Sequence, residues 1–196
     1  MEHMLKKFKE SLEKILVDQP EAKKIEFTNH EIQVSGQTYF LCKALIPSIP
    51  EILAVERAVY EGQMPWDYDA FSKEIADDFK SLYLIVRDQD QMIAFVGCNL
   101  RYAPKEAHVT NIAVLPAYQE HGIGKALLQT LFAAAKKYDC NQISLEVRQS
   151  NVKAQHLYEQ LGFKCVASKL NYYADNETAL QYIRDFQDIK VKKEWI

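Results

Sequence analysis

Apolar and polar positions divide this chain into short segments of two periods. Leu5, Phe8, Leu12 and Ile15/Leu16 recur at helical spacing, so residues 3–17 are expected to form an amphipathic helix. Its polar side mixes Glu2, Glu10 and Glu13 with lysines, which favours packing on the protein body over a membrane surface. Lys24 to Phe27 and Glu31 to Val34 read as short strands joined by Thr28-Asn29-His30. Ser35-Gly36 marks a turn, and Thr38 to Leu45 reads as the next strand.

The period then changes. A helix from Pro50 carries Ile52, Leu53, Val55, Glu56 and Val59, Pro65-Trp66 breaks the chain, and Tyr68 to Phe79 predicts a second helix. Leu82 to Arg87 and Met92 to Arg101 predict a hairpin around Asp88-Gln89-Asp90-Gln91. His108 to Leu115 predicts a strand, Gly122 to Tyr138 a long helix with Lys136 and Lys137 near its C-terminus, and Ile143 to Arg148 a strand. Val152 to Leu161 predicts a helix capped by Ser150 or Asn151 and stopped at Gly162-Phe163. Lys164 to Tyr173 and Ala179 to Asp185 complete the strands. The order is mixed α/β, without internal repeat or low-complexity linker.

The segment Ile112 to Ala126 carries the sharpest chemical signal. An apolar strand runs into a turn, and Gly122 and Gly124 open a helix. Such a start leaves backbone N–H groups at the positive end of a helix dipole, where phosphate binds without cationic side chains. The spacing Gln119-x-x-Gly122-x-Gly124 is neither the dinucleotide-binding G-x-G-x-x-G nor a nucleotide P-loop. Alone, two glycines at a helix start are as readily an ordinary turn.

In Ile143 to Arg148, residues 143, 145 and 147 share an apolar face and Ser144, Glu146 and Arg148 the other. A carboxylate in mid-strand requires a wet cleft or a partner. Glu146 is therefore either one half of a surface pair with Arg148 or a general base. Tyr158 lies on the face of Ala154, Leu157 and Leu161, either as a core aromatic or with its hydroxyl directed to a ligand.

Composition narrows the field. With 196 residues the chain suits one domain with appendages, and 48% apolar with 26% charged residues is ordinary for a globular protein. A net charge of −3 gives no general electrostatic reason to bind DNA or an anionic membrane. No apolar run approaches the roughly 20 residues of a membrane span. Residues 1–13 introduce charge too early for a signal peptide. Cys42, Cys98, Cys140 and Cys165 are far apart and the five histidines are scattered, so no metal site is expected and a cytoplasmic location with reduced thiols is.

Taken in order, Ile112-Ala113-Val114, Gln119-x-x-Gly122-x-Gly124, Leu145-Glu146-Val147-Arg148, Asn151-x-x-Ala154 and Leu157-Tyr158-Glu159-x-x-Gly162-Phe163 resemble the GNAT superfamily of acetyl-CoA-dependent N-acetyltransferases. Glu56-Arg57 with Met64-Pro65-Trp66, Ser150-Asn151, and Asn171-Tyr172-Tyr173 with Glu177-Thr178-Ala179 resemble its RimI type, the ribosomal-protein-alanine N-acetyltransferases. The resemblance implies a central twisted mixed β-sheet flanked by helices over residues 38–185, with an N-terminal extension at 1–37 and a tail at 186–196. It implies acetyl-CoA as co-substrate. The backbone of Ile112, Ala113 and Val114 would hold the pantetheine arm, and Gln119, Glu120, His121, Gly122, Ile123, Gly124, Lys125 and Ala126 would hold the pyrophosphate. Asn151 would bond the pantetheine. Glu146 takes the place of the general base and Tyr158 that of the general acid beside the thioester. Trp66, Tyr172 and Tyr173 would line the groove for a protein or peptide acceptor, with a ribosomal protein's N-terminal alanine as the implied target.

The residue types suit that reaction. Only a neutral amine attacks a thioester, and a peptide α-amine titrates near 7.7–8.0, so a modest base suffices. Cys140 and Cys165 have no evident catalytic partner for an acyl-cysteine route. Three features depart from the pattern. The extension before residue 38 is taken to cover the sheet, Glu120 brings a carboxylate into an expected phosphate loop with Lys125 to compensate, and the basic tail Ile189 to Ile196 is taken as solvated. Two other readings stay open: acetylation of a small amine or lysine side chain, and a non-catalytic acetyl-CoA-binding module.

Overall fold

A computed structural model of the chain describes residues 23–60, 65–103 and 105–186. Eight strands form one sheet in the order β1-β2-β3-β4-β5-β6-β8-β7. They are β1 (His30–Val34), β2 (Gln37–Lys43), β3 (Ser81–Asp88), β4 (Gln91–Ala103), β5 (Glu106–Val114), β6 (Gln142–Arg148), β7 (Lys164–Lys169) and β8 (Ala179–Asp185). Helices α1 (Ile49–Val59) and α2 (Tyr68–Ala76) precede β3, α3 (Ile123–Lys137) joins β5 to β6, and α4 (Val152–Gln160) joins β6 to β7.

Every adjacent pair is antiparallel except β5 and β6. Those two are connected through α3, the crossover that parallel strands require. Their pairing runs only from Glu106↔Gln142 to Val109↔Leu145. Beyond Val109 the two strands have no registered partners in each other, and the sheet opens into a wedge.

The sheet separates two apolar layers. One face packs Leu84, Val96, Val109 and Leu145 against Leu127, Leu128 and Leu131 of α3. The other packs Ile85, Phe95 and Ala113 against Ile49, Ile52 and Val55 of α1 and Phe71 and Ile75 of α2. This two-sided burial explains the nearly unbroken apolar runs of β3 and β4, which flat alternation would not give.

The expected elements are present with shifted ends. The β3–β4 hairpin turns at Gln89-Asp90, with Gln89 at a φ of 51°. Helix α2 stops at Ala76 rather than Phe79, because Asp77 leaves helical geometry and its side chain accepts the Phe79 N–H. Strand β7 ends at Lys169, and the Tyr172 and Tyr173 N–H groups fold back onto the Glu177 carbonyl. Lys24 to Phe27 is not a strand. The Ile25 N–H donates to Asp78 O, the Glu26 N–H to the Tyr138 hydroxyl, and Arg101 reaches Lys23 O, so three separate elements hold this segment and no ladder forms. The helix expected at 3–17 and the basic tail from Ile189 lie outside the described residues. No helix among the described residues is long and apolar enough to cross a membrane.

Candidate active site

The wedge between β5 and β6 opens into a cleft of about 580 Å³. Leu115 donates its N–H across to Ile93 O on β4. By strand alternation Ala113 also faces β4, while the N–H and carbonyl groups of Ile112 and Val114 face the wedge. Ala113 is thus a spacer whose side chain is buried on the α1 face. The Gln119 amide donates to Val114 O at 2.9 Å, tying the glycine turn to the end of this rim.

The turn itself is built for exposed amides. Gly122 caps α3 at a φ of 93°, and no side chain caps the helix. A Cβ here would be strained by that φ and would lie 3.3 Å from Val34 Cγ1. Ala126 donates its N–H to Gly122 O at 3.0 Å, closing the first turn. The amides left over are those of Ile123, Gly124 and Lys125. Glu120, itself at a positive φ of 65°, turns its carboxylate to Lys153 Nζ at 2.7 Å. That hydrogen bond and charge hold the carboxyl below its usual range and neutralise the group that would oppose a phosphate. From the other side Ser35 Oγ donates to His121 O at 2.8 Å, so the β1–β2 turn braces the loop.

Glu146 and Tyr158 line the same cleft. The Glu146 side chain is 8% exposed, with Oε2 3.1 Å from His108 Nε2 and Oε1 2.7 Å from Lys169 Nζ. Burial opposes its ionisation, but hydrogen bonds from His108 and Lys169 outweigh burial and hold the carboxyl below its ordinary value. The anionic form is the resident one. The alternative surface pairing with Arg148 does not form. Arg148 instead bonds Asp175 at 2.8 Å and Glu177 at 2.6 Å, and its guanidinium stacks 4.1 Å from the Tyr173 ring centre.

Behind Glu146 a polar chain continues. His108 Nδ1 is 2.9 Å from Ser144 Oγ, which donates to Glu106 Oε1 at 2.6 Å. Tyr102 stacks on the imidazole with ring centres 4.4 Å apart. Tyr158 is buried with its ring against Phe163 and Tyr182, and burial pushes its hydroxyl pKa up, so the phenol stays protonated. It is both a core aromatic and a cleft residue.

The remaining expected residues fall on the cleft walls. Asn151 caps α4 through Oδ1, accepting the Ala154 N–H at 3.1 Å, which leaves its amide nitrogen for a ligand. Trp66 packs against Phe71, with ring centres 5.4 Å apart and planes tilted by 47°, and lines the cleft together with Tyr172 and Tyr173. Burial pushes the Tyr173 hydroxyl up to about 12. Sequence reasoning did not single out His108, Lys169, Tyr60 or Asn111 as site residues. For His108 a signal existed: it shares the β5 face that pairs with Ser144, two residues before Glu146. Among the described residues no group of His, Cys, Asp and Glu side chains could hold a metal.

The chain is 32% identical over 155 residues to an N-alpha-acetyltransferase of Sulfurisphaera tokodaii, covering 74% of this chain and 91% of that protein. It is 37% identical over 110 residues to the [ribosomal protein bS18]-alanine N-acetyltransferase of Haemophilus influenzae, covering 56% and 72%. The crystal structure of the ribosomal-protein-S18-alanine N-acetyltransferase of Escherichia coli superimposes with a TM-score of 0.68 at 27% identity, over 81% of this chain and 99% of that one. Residues 47–163 match the acetyltransferase (GNAT) family. This stretch takes in the glycine turn, the wedge, Glu146 and Tyr158, and the chain belongs to that family of enzymes, whose acetyl donor is acetyl-CoA.

Proposed function

We propose that this protein moves the acetyl group of acetyl-CoA directly to the N-terminal α-amine of a protein, with the alanine end of a ribosomal protein as acceptor. The observation that carries the reading is one open cleft holding an anionic carboxylate and a neutral phenol beside a free strand rim. The names of the S. tokodaii, H. influenzae and E. coli relatives point to α-amines, and to alanine in the latter two.

In this reading Ile112 and Val114 bond the pantetheine arm as an added strand would, and the amides of Ile123 to Lys125 bond the pyrophosphate. Asn151 Nδ2 bonds the arm from the other wall. The amine nitrogen attacks the thioester carbonyl carbon, the carbon–sulfur bond breaks, and the Tyr158 hydroxyl gives its proton to the departing sulfur. Glu146, with His108 at its back, takes the proton that the amine loses. Each such transfer contributes about 10²–10⁴-fold in rate. Residues 38–185 are the catalytic unit, and the part of the extension around Ser35 serves it by bracing the phosphate turn. Four free cysteines suit a cytoplasmic setting.

The test is mass spectrometry of acetyl-CoA reactions with two peptides. One has a free N-terminal alanine and a basic sequence; the other has the same sequence with a blocked N-terminus and an internal lysine. Acetylation of the first alone supports the reading. Acetylation of the second alone moves the acceptor to lysine, and reaction with neither removes the peptide from the reading.

A further inference from the structure

Among the described residues two buried side-chain atoms that line the cleft have no hydrogen-bond partner: Glu56 Oε2 and Asn111 Nδ2. Unpaired buried polar atoms are uncommon and costly, at about 1–3 kcal/mol each, so each requires an explanation. Glu56 is 1% exposed and sits on α1 among Ile52 and Val55, where the face it shares is otherwise apolar. The Trp66 backbone bonds its carboxyl, and Oε2 is left over.

Asn111 is oriented by a defined chain. The Thr110 hydroxyl donates to Asn111 Oδ1 at 3.2 Å, so the Tyr83 hydroxyl, 3.0 Å from Thr110 Oγ1, is the donor to Thr110. This order commits the amide oxygen, while the Asn111 amide nitrogen, although the amide lies close enough to the Tyr83 hydroxyl to favour its ionised form, has no hydrogen bond of good geometry. Gly97 makes room for it, since a Cβ there would lie 2.4 Å from both Asn111 Oδ1 and the Tyr83 ring.

One unpaired atom is an acceptor and the other a donor. An acceptor and a donor lining one cleft complement an ammonium and a carbonyl, the pair that the first residue of a peptide carries. A lysine side chain or polyamine has the ammonium without the adjacent carbonyl. We infer that Glu56 and Asn111 form the pocket for the acceptor's first residue, Glu56 Oε2 accepting from the α-ammonium and Asn111 Nδ2 donating to the first carbonyl oxygen. The inference rests on the α-amine reading above and names the residues that enforce it.

Burial raises the Glu56 carboxyl to about 7, so near neutrality the empty pocket is partly protonated. The other ionisable groups lining the cleft are Tyr60 just past the end of α1, Tyr158 on α4, Tyr172 and Tyr173, the anionic Glu146 with His108, and Arg148 on β6, whose charge Asp175 and Glu177 offset. An arriving ammonium favours the carboxylate, so binding is expected to expel a proton from Glu56.

The test is calorimetric titration of the full chain saturated with CoA, which cannot turn over. The ligands are a hexapeptide with a free N-terminal alanine, its N-acetylated form, and spermidine, at pH 7 in two buffers of different ionisation enthalpy. The expected result is binding of the free peptide with a buffer-dependent heat that reports proton release. Glu56→Gln and Asn111→Ala should each weaken the peptide at least tenfold. Glu56→Gln should also abolish the buffer dependence, and both should bind CoA within twofold of the parent, which certifies their fold. Either variant binding the free peptide like the parent, or the N-acetylated peptide binding equally well, overturns the pocket. Peptide silence with spermidine bound in a Glu56-dependent way sinks the α-amine reading and the Asn111 role, and leaves Glu56 as an ammonium ligand.

Discussion

His108 Nε2 lies 3.1 Å from Glu146 Oε2, across the last registered rung but one between β5 and β6. In the proposed reaction the imidazole and carboxylate act as one proton-handling unit, beside the opening of the wedge. Replacing either is expected to remove the same step. Glu146→Gln is expected to lower kcat by about 10²-fold or more and leave acetyl-CoA affinity unchanged. His108→Asn should do likewise, and the double variant should lose far less than the product of the two. Steady-state kinetics of the three variants decides this, and full additivity would separate the residues.

Lys169 sets the acid side of the pH profile. Its 2.7 Å bond favours the ionised Glu146, so the enzyme keeps its carboxylate to a lower pH than an ordinary glutamate would. With Lys169→Met the carboxyl rises, and the acid limb of kcat/KM should move to higher pH. Lys169→Arg should largely restore it. A limb that stays in place would show that Glu146 does not carry the titration.

Tyr158→Phe keeps the ring contacts with Phe163 and Tyr182 and deletes only the hydroxyl. Turnover should fall by about 10²–10⁴-fold with Tm within a few degrees of the parent. No rise in pH should recover the rate, since the missing group is an acid. A variant with full rate under chemistry-limited conditions would remove Tyr158 from the proton path.

Glu56→Gln should stabilise the protein at pH 8. The free carboxyl titrates near 4.5 and the native one near 7. Between those values the unfolded chain releases a proton that the native state keeps, so native stability falls as pH rises and stays reduced above 7. Glutamine has no such loss. Urea unfolding should give equal stabilities at pH 4 and a gain for the variant at pH 8 of up to about 3 kcal/mol. A site that binds well at the expense of stability is the usual pattern for an unpaired buried group.

Much of this site is local in sequence and therefore legible there. Gly122, Gly124, Glu146 and Tyr158 each belong to a short segment whose spacing fixes their geometry. His108 and Lys169 are different, because their places depend on pairings between distant strands. His108 meets Glu146 only through the parallel register of β5 and β6, and Lys169 reaches it from β7, on the far side of β8. Glu56 was visible as a carboxylate on an apolar helical face, but its unpaired oxygen is a property of the packed state. Lys24 to Phe27 has a strand's composition, but its backbone is held by Asp78, Tyr138 and Lys43 from distant parts of the chain, which no local pattern reveals.

Gly122→Ala tests the brace between the extension and the phosphate turn. Its φ of 93° is unfavourable to alanine, and the methyl would press on Val34 at 3.3 Å. A loss of about 1–2 kcal/mol in stability is expected, together with a higher KM for acetyl-CoA. Ser35→Ala should raise that KM more modestly, with Tm nearly unchanged. An unchanged KM in both would detach the β1–β2 turn from cofactor binding.

Unpaired backbone in a sheet is normally a liability, since an exposed row of N–H and carbonyl groups recruits strands from other molecules. Here the row at Ile112 and Val114 lies in the interior of the sheet rather than at its margin. Trp66, Tyr172 and Tyr173 line the same cleft, and β6 pairs with β5 only as far as Val109. An interior gap differs from a free margin, because strands flank it on both sides and another molecule's sheet cannot simply be continued from it. The unpaired row is thus kept for a guest that enters the cleft end-on.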